Sequence, residues 1–218
     1  MIDFGAYDAL TFDVYGTLID WETGIATALR RAGATGTDDE LLETFARHEA
    51  ELEAGPYLTY REVLAEAGRR VGASDVEAFA GSVGDWPAFE DSAEALAALK
   101  DRFRLGVITN CDDDLFALSN RRLGVEFDWV ITAQQAGGYK PRLENFTYAF
   151  ERIDVPRERI LLVAQSLFHD HVPAKALGMT TVWIDRRQGR EGFGATPPAE
   201  AEPDLVVGDM RTFAQLAA

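Results

Sequence analysis

Residues 9–20, ALTFDVYGTLID, change character twice within a few positions. Ala9, Leu10, Thr11 and Phe12 read as a buried strand, Asp13 stands at its carboxyl end, and Gly16 and Thr17 then break the pattern. A carboxylate at the end of a buried strand loses hydration and needs compensating partners. Either Asp13 caps the turn that follows, or it does chemistry with groups brought from elsewhere in the chain.

Further apolar runs recur at 103–109, 127–132, 159–164, 180–185 and 204–207, counting the first as 8–13. Between the later ones lie helical patterns at 91–101, 112–123, 143–153 and 168–177. Strands alternating with helices make a parallel sheet covered on both faces. The expected fold is therefore α/β, with a doubly wound, Rossmann-like core. Residues 20–85 break this rhythm, because TGIATALRRAG, DDELLETFARHEAELEAG and TYREVLAEAGRRVG are helical with no strand between them. That block reads as a helical insert placed directly after the first strand, leaving through a Gly81, Gly84 and Pro87 boundary. The expected division is 1–18 with 86–218 as core and 19–85 as insert. The stretch 189–203 reads as a flexible loop.

The 218 residues carry 47% hydrophobic side chains and a net charge of −16. Such a surface repels nucleic acid and anionic membranes, and no apolar run approaches the ~18 residues of a membrane span. No basic-then-apolar leader opens the sequence, so the expected location is cytoplasmic. Cys111, the single cysteine, excludes an internal disulfide and a multi-cysteine zinc site. Lysine is scarce, with only Lys100, Lys140 and Lys175. A lysine in a loop therefore attracts notice.

Ligands of open α/β sheets sit at the carboxyl ends of the strands. Those ends carry Asp13, then Thr109 and Asn110, then Lys140 in AGGYKP, then Gln165 to Asp170. The set DVYGT, ITN, YKP and SLFHD, in that order, resembles the four sequence motifs of the haloacid dehalogenase superfamily along the whole chain, with the helical insert in the place of that superfamily's cap domain.

The resemblance implies that Asp13 is a nucleophile forming a covalent intermediate that water cleaves. It implies that Lys140 reaches Asp13 and favours its ionised form, that Thr17 orients the carboxylate, and that Asp170 orders the nucleophile's surroundings and the water. Thr109 and Asn110 resemble a Ser–Asn pair holding a substrate carboxylate, and Arg47 is the nearest match to a cap-helix arginine that receives halide. The plainer readings are an N-cap of helix 112–123 for the Thr–Asn pair, with Asp112 able to serve instead, a cap of 168–177 for Asp170, and a solvated helix face for Arg47. His169 and His171 read as an ordinary polar turn rather than a metal site. Tyr57, Trp21, Trp86 and Phe89 are candidates for the walls of a dry pocket or for interdomain packing.

Superfamily phosphatases carry a general-acid aspartate two residues after the nucleophile, and here that position is Tyr15, as in the DxYGT pattern of the dehalogenase branch. Halide needs no proton to leave. The expected activity is thus hydrolytic dehalogenation of short 2-haloacids through an aspartyl ester, most similar to type II 2-haloacid dehalogenases, with no metal or other cofactor. The partner expected is a small molecule, and a homodimer is among the expectations. Four positions depart from the branch: Gln165 and Leu167 replace Ser and Asn of the fourth motif, Phe146 replaces a tyrosine, and Cys111 replaces a glycine. The alternatives are a Mg²⁺-dependent phosphatase on a small phosphoester, binding the ion weakly because Gln165 stands where a carboxylate ligand belongs, and a catalytically weak relative. Neither GxxxxGK[ST] nor GxSxG occurs.

Overall fold

The computed structural model describes residues 2–218. Strand β1 (Ala9–Phe12) leads into a helical block of α1 (Trp21–Arg31), α2 (Asp38–Ala54), α3 (Tyr60–Val71) and α4 (Val76–Ala80). The chain then runs through α5 (Ser92–Lys100), β2 (Arg104–Thr109), α6 (Asp113–Leu123), β3 (Trp129–Thr132), α7 (Ala133–Ala136), α8 (Leu143–Phe150) and β4 (Ile160–Ala164). A single π-helical turn, Leu167–His171, runs into α9 (Val172–Ala176), followed by β5 (Thr181–Ile184), β6 (Leu205–Val207) and α10 (Met210–Ala217).

The six strands form one parallel sheet in the order β3-β2-β1-β4-β5-β6. β1 pairs with β2 on one side (Phe12 opposite Val107) and with β4 on the other (Phe12 opposite Val163). The chain leaves β1 toward β2 and β3, then crosses back to β4, so the reversal of strand order falls beside β1. That reversal opens a crevice at the carboxyl end of the central strand, where Asp13 stands. β1, β4 and the inner part of β2 are buried throughout because both faces are covered.

The helical block joins the core through two neighbouring linkers. Asp20 donates its N–H to the Pro87 carbonyl, and Phe89 to that of Leu18. Both α2 and α3 begin with reciprocal caps, Thr37 with Glu40 and Thr59 with Glu62, which satisfy amide donors that no helical carbonyl reaches. Gly24 lets α1 lie flat on the buried Trp86 ring, since a Cβ there would come within 2.3 Å of it.

Three helical expectations change. The segment 143–153 is helical only to Phe150, α4 is an additional short helix, and 168–177 divides into the π turn and α9. In that turn the Ser166 side chain accepts the His169 N–H, and the backbone winds wide enough to turn His169 and Asp170 inward. Single π turns of this kind concentrate at functional sites. The loop after β5 is anchored to the helical block, with Arg187 bonded to Glu22 at 2.7 and 2.8 Å and the Ala195 N–H also donating to Glu22. Among the described residues no helix is long and apolar enough to cross a membrane.

Candidate active site

Asp13 leaves β1 with its backbone N–H still bonded to Val163 and its side chain 9% exposed. Gly16 makes the sharp turn that follows. Its φ is +93°, and a Cβ there would lie 2.8 Å from Gln165 Oε1 and 2.9 Å from Trp21 Nε1. The turn brings Thr17 back beneath Asp13, where Thr17 Oγ1 donates to Asp13 Oδ2 at 2.8 Å and accepts the Gln165 N–H at 2.8 Å. A buttress fixes this loop from behind: Arg186 donates to the Thr17 carbonyl and is itself gripped by Asp91 at 2.9 Å through two nitrogens.

Lys140 is 1% exposed, and its three N–H donors are all engaged. They go to Asp13 Oδ1 (2.9 Å), Asp170 Oδ1 (2.7 Å) and the Ile108 carbonyl (2.7 Å). Burial alone would depress the ammonium, but the carboxylates of Asp13 and Asp170 outweigh it and hold Lys140 above its ordinary value. Asn110 locks the lysine's backbone in place by accepting its N–H at 2.8 Å and donating to its carbonyl at 3.0 Å. Burial pushes the Asp170 carboxyl up to about 7 against the pull of Lys140, and Asp170 Oδ2 has no hydrogen-bond partner.

The pocket over these groups, a narrow cavity of about 20 Å³, is closed by α2 and α3 of the helical block. Here the expectations need correction. Arg47 is exposed on the far side of α2 and bonds Thr44, so no arginine enters the pocket. Glu49 and Glu53 enter instead. Both lie on the stripe of α2 that also carries Leu42, Phe45 and Ala46, one turn of helix apart. Glu49 accepts the Tyr60 hydroxyl at 2.8 Å, and Glu53 accepts Asn110 Nδ2 at 3.2 Å. Burial raises Glu49 to about 8, and burial together with Glu49 pushes Glu53 up as well. The sequence contained a signal for this, since Leu42, Phe45, Ala46, Glu49 and Glu53 follow the spacing of a buried helix face and Arg47 falls off it.

Tyr15 contributes its ring to the pocket wall, but its hydroxyl turns away to Cys111 Sγ (3.2 Å) and Ser119 Oγ (3.0 Å). Cys111 thereby fills the place of the expected glycine. Thr109 is buried but does not line the pocket, and its hydroxyl has no partner. Asn110 does line it. Neither caps α6, and Asp112 does not cap it by side chain either; its carboxylate reaches across to the N–H groups of Tyr60 and Arg61 at the start of α3. The Gln165 side chain accepts from Thr196 and lies outside the pocket, where Ser166 and His169 take its place. Asp170 is held by Lys140 and does not cap α9. Of the four aromatic candidates only Trp21 lines the pocket. Tyr57 stacks on Tyr139, Trp86 packs on Tyr15 and Phe89 lies under Arg186. Phe146 is packed into the apolar layer under the sheet.

His171 Nε2 bonds the Ala164 carbonyl, as a turn histidine would, but His169 faces the pocket with Nε2 unpartnered, 3.7 Å from Glu53 Oε2. Burial, with help from Lys140, lowers His169 to about 3, so the ring is neutral. A divalent cation beside Asp13 would need hard oxygen donors. Lys140 stands between one oxygen of Asp13 and one of Asp170, Thr17 holds the other oxygen of Asp13, and the amide at position 165 faces Thr196. Of these oxygens, Asp170 Oδ2 is left without a hydrogen-bond partner, and the neutral amide at position 165 is a poorer donor to a hard cation than a carboxylate. Among the described residues, no group of three or more His, Cys, Asp or Glu side chains is placed to hold a metal ion.

A family model described as haloacid dehalogenase-like hydrolase matches residues 7–170. Haloacetate dehalogenase H-2 of Moraxella sp. strain B is 27% identical over 193 residues, covering 82% of this chain and 86% of that protein. Phosphoserine phosphatase of Thermus thermophilus is 32% identical over 168 residues, covering 72% of this chain and 64% of its own length. Other curated relatives match over 47%, 48% or 51% of their length. The solved L-2-haloacid dehalogenase of Xanthobacter autotrophicus with chloropropionic acid covalently bound superposes with a TM-score of 0.80 at 21% identity, covering 96% of this chain and 98% of that one. At that identity the likeness is one of fold.

Proposed function

The chain belongs to the haloacid dehalogenase-like hydrolase family, and from that membership we propose that it hydrolyses a carbon–halogen bond in a short substrate, 2-haloacids being the reference class. Asp13 attacks the carbon bearing the halogen; an oxygen–carbon bond forms, the carbon–halogen bond breaks, and halide leaves with the electron pair. Water then attacks Cγ of the Asp13 ester, the alcohol product departs with the former Asp13 oxygen, and the carboxylate is regenerated. Asp170, with a free Oδ2 and a carboxyl balanced near neutrality, takes one proton of that water and passes it to the departing alkoxide, and the acid left on Asp13 loses its proton to solvent. Lys140 holds both acids in place throughout, and Thr17 fixes the attacking carboxylate.

One observation carries this reading: Asp13 is clamped by Lys140 and Thr17 while position 15 offers a phenol turned away from the pocket. That is a nucleophile without an acid on its own loop to protonate an alkoxide, which suits a leaving group that needs none. The test incubates the protein with chloro-, bromo- and fluoroacetate, both 2-chloropropionate enantiomers and a generic phosphoester, each with and without EDTA. Halide release that EDTA leaves unchanged supports the proposal. Phosphate release that depends on Mg²⁺, with no halide from any of these acids or from a 2-haloethylammonium, refutes it.

A further inference from the structure

We infer that the head group recognised by this pocket is an ammonium, held between Glu49 and Glu53 of α2 against the rings of Tyr15, Trp21 and Tyr60. The inference rests on the reading above only in taking the pocket over Asp13 as the substrate site.

A substrate carboxylate would find no cation there. Lys140 has spent its three donors on Asp13, Asp170 and Ile108, Arg47 points to solvent, and Arg142 is turned onto the end of α2, bonding the carbonyls of Glu53, Ala54 and the capping Gly55. The carboxylate would face two glutamates at 2% and 5% exposure. Carboxylates so deeply buried are costly unless a positive charge accompanies them. Their companions on the wall are two tyrosines and a tryptophan, the residue types whose ring faces attract cations.

An unsatisfied atom marks where the nitrogen goes. His169 Nε2 is buried, has no partner, and lies 3.7 Å from Glu53 Oε2, too far for a direct hydrogen bond. A nitrogen with several N–H donors, seated beside that gap, bonds both atoms. This requires the His169 proton on Nδ1, where it donates to Ser166 Oγ at 3.1 Å; that oxygen also accepts the His169 backbone N–H at 2.8 Å, using its two lone pairs. Asn110 Nδ2 keeps the Glu53 carboxyl turned toward the gap. In the empty pocket burial raises both carboxyls, Glu49 to about 8, and an ammonium bonded to either favours its ionised form.

Two small alcohols that differ only in head group decide the matter: ethanolamine and glycolate, titrated calorimetrically into the wild-type protein, Glu53→Gln and Glu49→Gln. Ethanolamine is expected to bind the wild type at least tenfold more tightly than glycolate, and Glu53→Gln to lose tenfold or more of that affinity with its far-ultraviolet spectrum unchanged. Glycolate binding equally or better, no detectable ethanolamine binding, or ethanolamine binding that is indifferent to both substitutions overturns the inference. Halide release from chloroacetate and from 2-chloroethylammonium, corrected for the uncatalysed reaction, is followed on the same preparation. Release from neither compound refutes the carbon–halogen reading, while the head-group comparison stands or falls on the titrations alone.

Discussion

Replacing Lys140 by methionine keeps the side chain's length and removes its charge from between Asp13 and Asp170. The ammonium is 1% exposed, and its two ion pairs measure 2.9 and 2.7 Å, so this is the removal of one partner from a buried charge cluster. Such removals cost about 3–5 kcal/mol because the remaining charges stay buried without compensation. At about 2–4 °C per kcal/mol for a chain of this size, the melting temperature falls by roughly 6–20 °C. The loss depends on pH with a definite sign. Two carboxylates left alone are relieved by protonation, so the deficit is smaller at about pH 5 than at about pH 9. Without Lys140, Asp170 rises further from its value of about 7 and carries its proton at neutral pH, so it no longer accepts one from water and halide release collapses. Thermal unfolding followed by circular dichroism at both pH values, with halide release alongside, measures all three effects. A melting temperature within 2 °C of wild type at high pH, or turnover within threefold of wild type, would refute the clamp as described.

Wild-type stability itself responds to the raised carboxyls. Asp170 at about 7 and Glu49 at about 8 bind protons in the folded state that they release when unfolded, where their ordinary values are 3.8 and 4.5. Their contribution is therefore fully present below about pH 4 and is lost as the pH rises toward about 8; urea unfolding across that window is expected to show a decline that Glu49→Gln flattens, and an unaltered slope in the variant speaks against a buried Glu49. Tyr15→Phe removes a hydroxyl from Cys111 and Ser119 but leaves the ring on the pocket wall, so unfolding free energy drops by about 1–3 kcal/mol while KM for halide release is unchanged; a large KM effect would place the hydroxyl in the pocket. Arg47→Ala touches only an exposed contact with Thr44. Stability is expected within about 0.5 kcal/mol of wild type and halide release within twofold, and a severe loss of activity would restore the arginine to the site.

The core was legible because buried parallel strands have an apolar signature, and polar residues at their ends stand out against it. Asp13, Asn110, Lys140 and Asp170 follow such runs, and the sheet brings them together. The inward face of the helical block was harder to read. In ARHEAELEA the acids resemble a solvated surface; their spacing continues the stripe of Leu42, Phe45 and Ala46, and the packing of α2 against the core buries Glu49 and Glu53 there while Arg47 stays outside. Contacts between distant positions were invisible for the same reason. Tyr15 meets Cys111 and Ser119 from some hundred residues away, and the Asp112 carboxylate caps α3 rather than the helix it precedes. The inward turn of His169 depends on a π-helical turn that no local pattern announced.

Covalent attack by Asp13 on carbon is tested most directly by one catalytic cycle in heavy-oxygen water, with protein in excess over a 2-haloacid or a haloamine, followed by mass analysis of the peptide containing Asp13. Ester formation predicts one heavy oxygen in the Asp13 carboxylate and ordinary oxygen in the alcohol product. Heavy oxygen found in the product, with the peptide unlabelled, would mean that water attacks the substrate directly and would contradict the role given to Asp13.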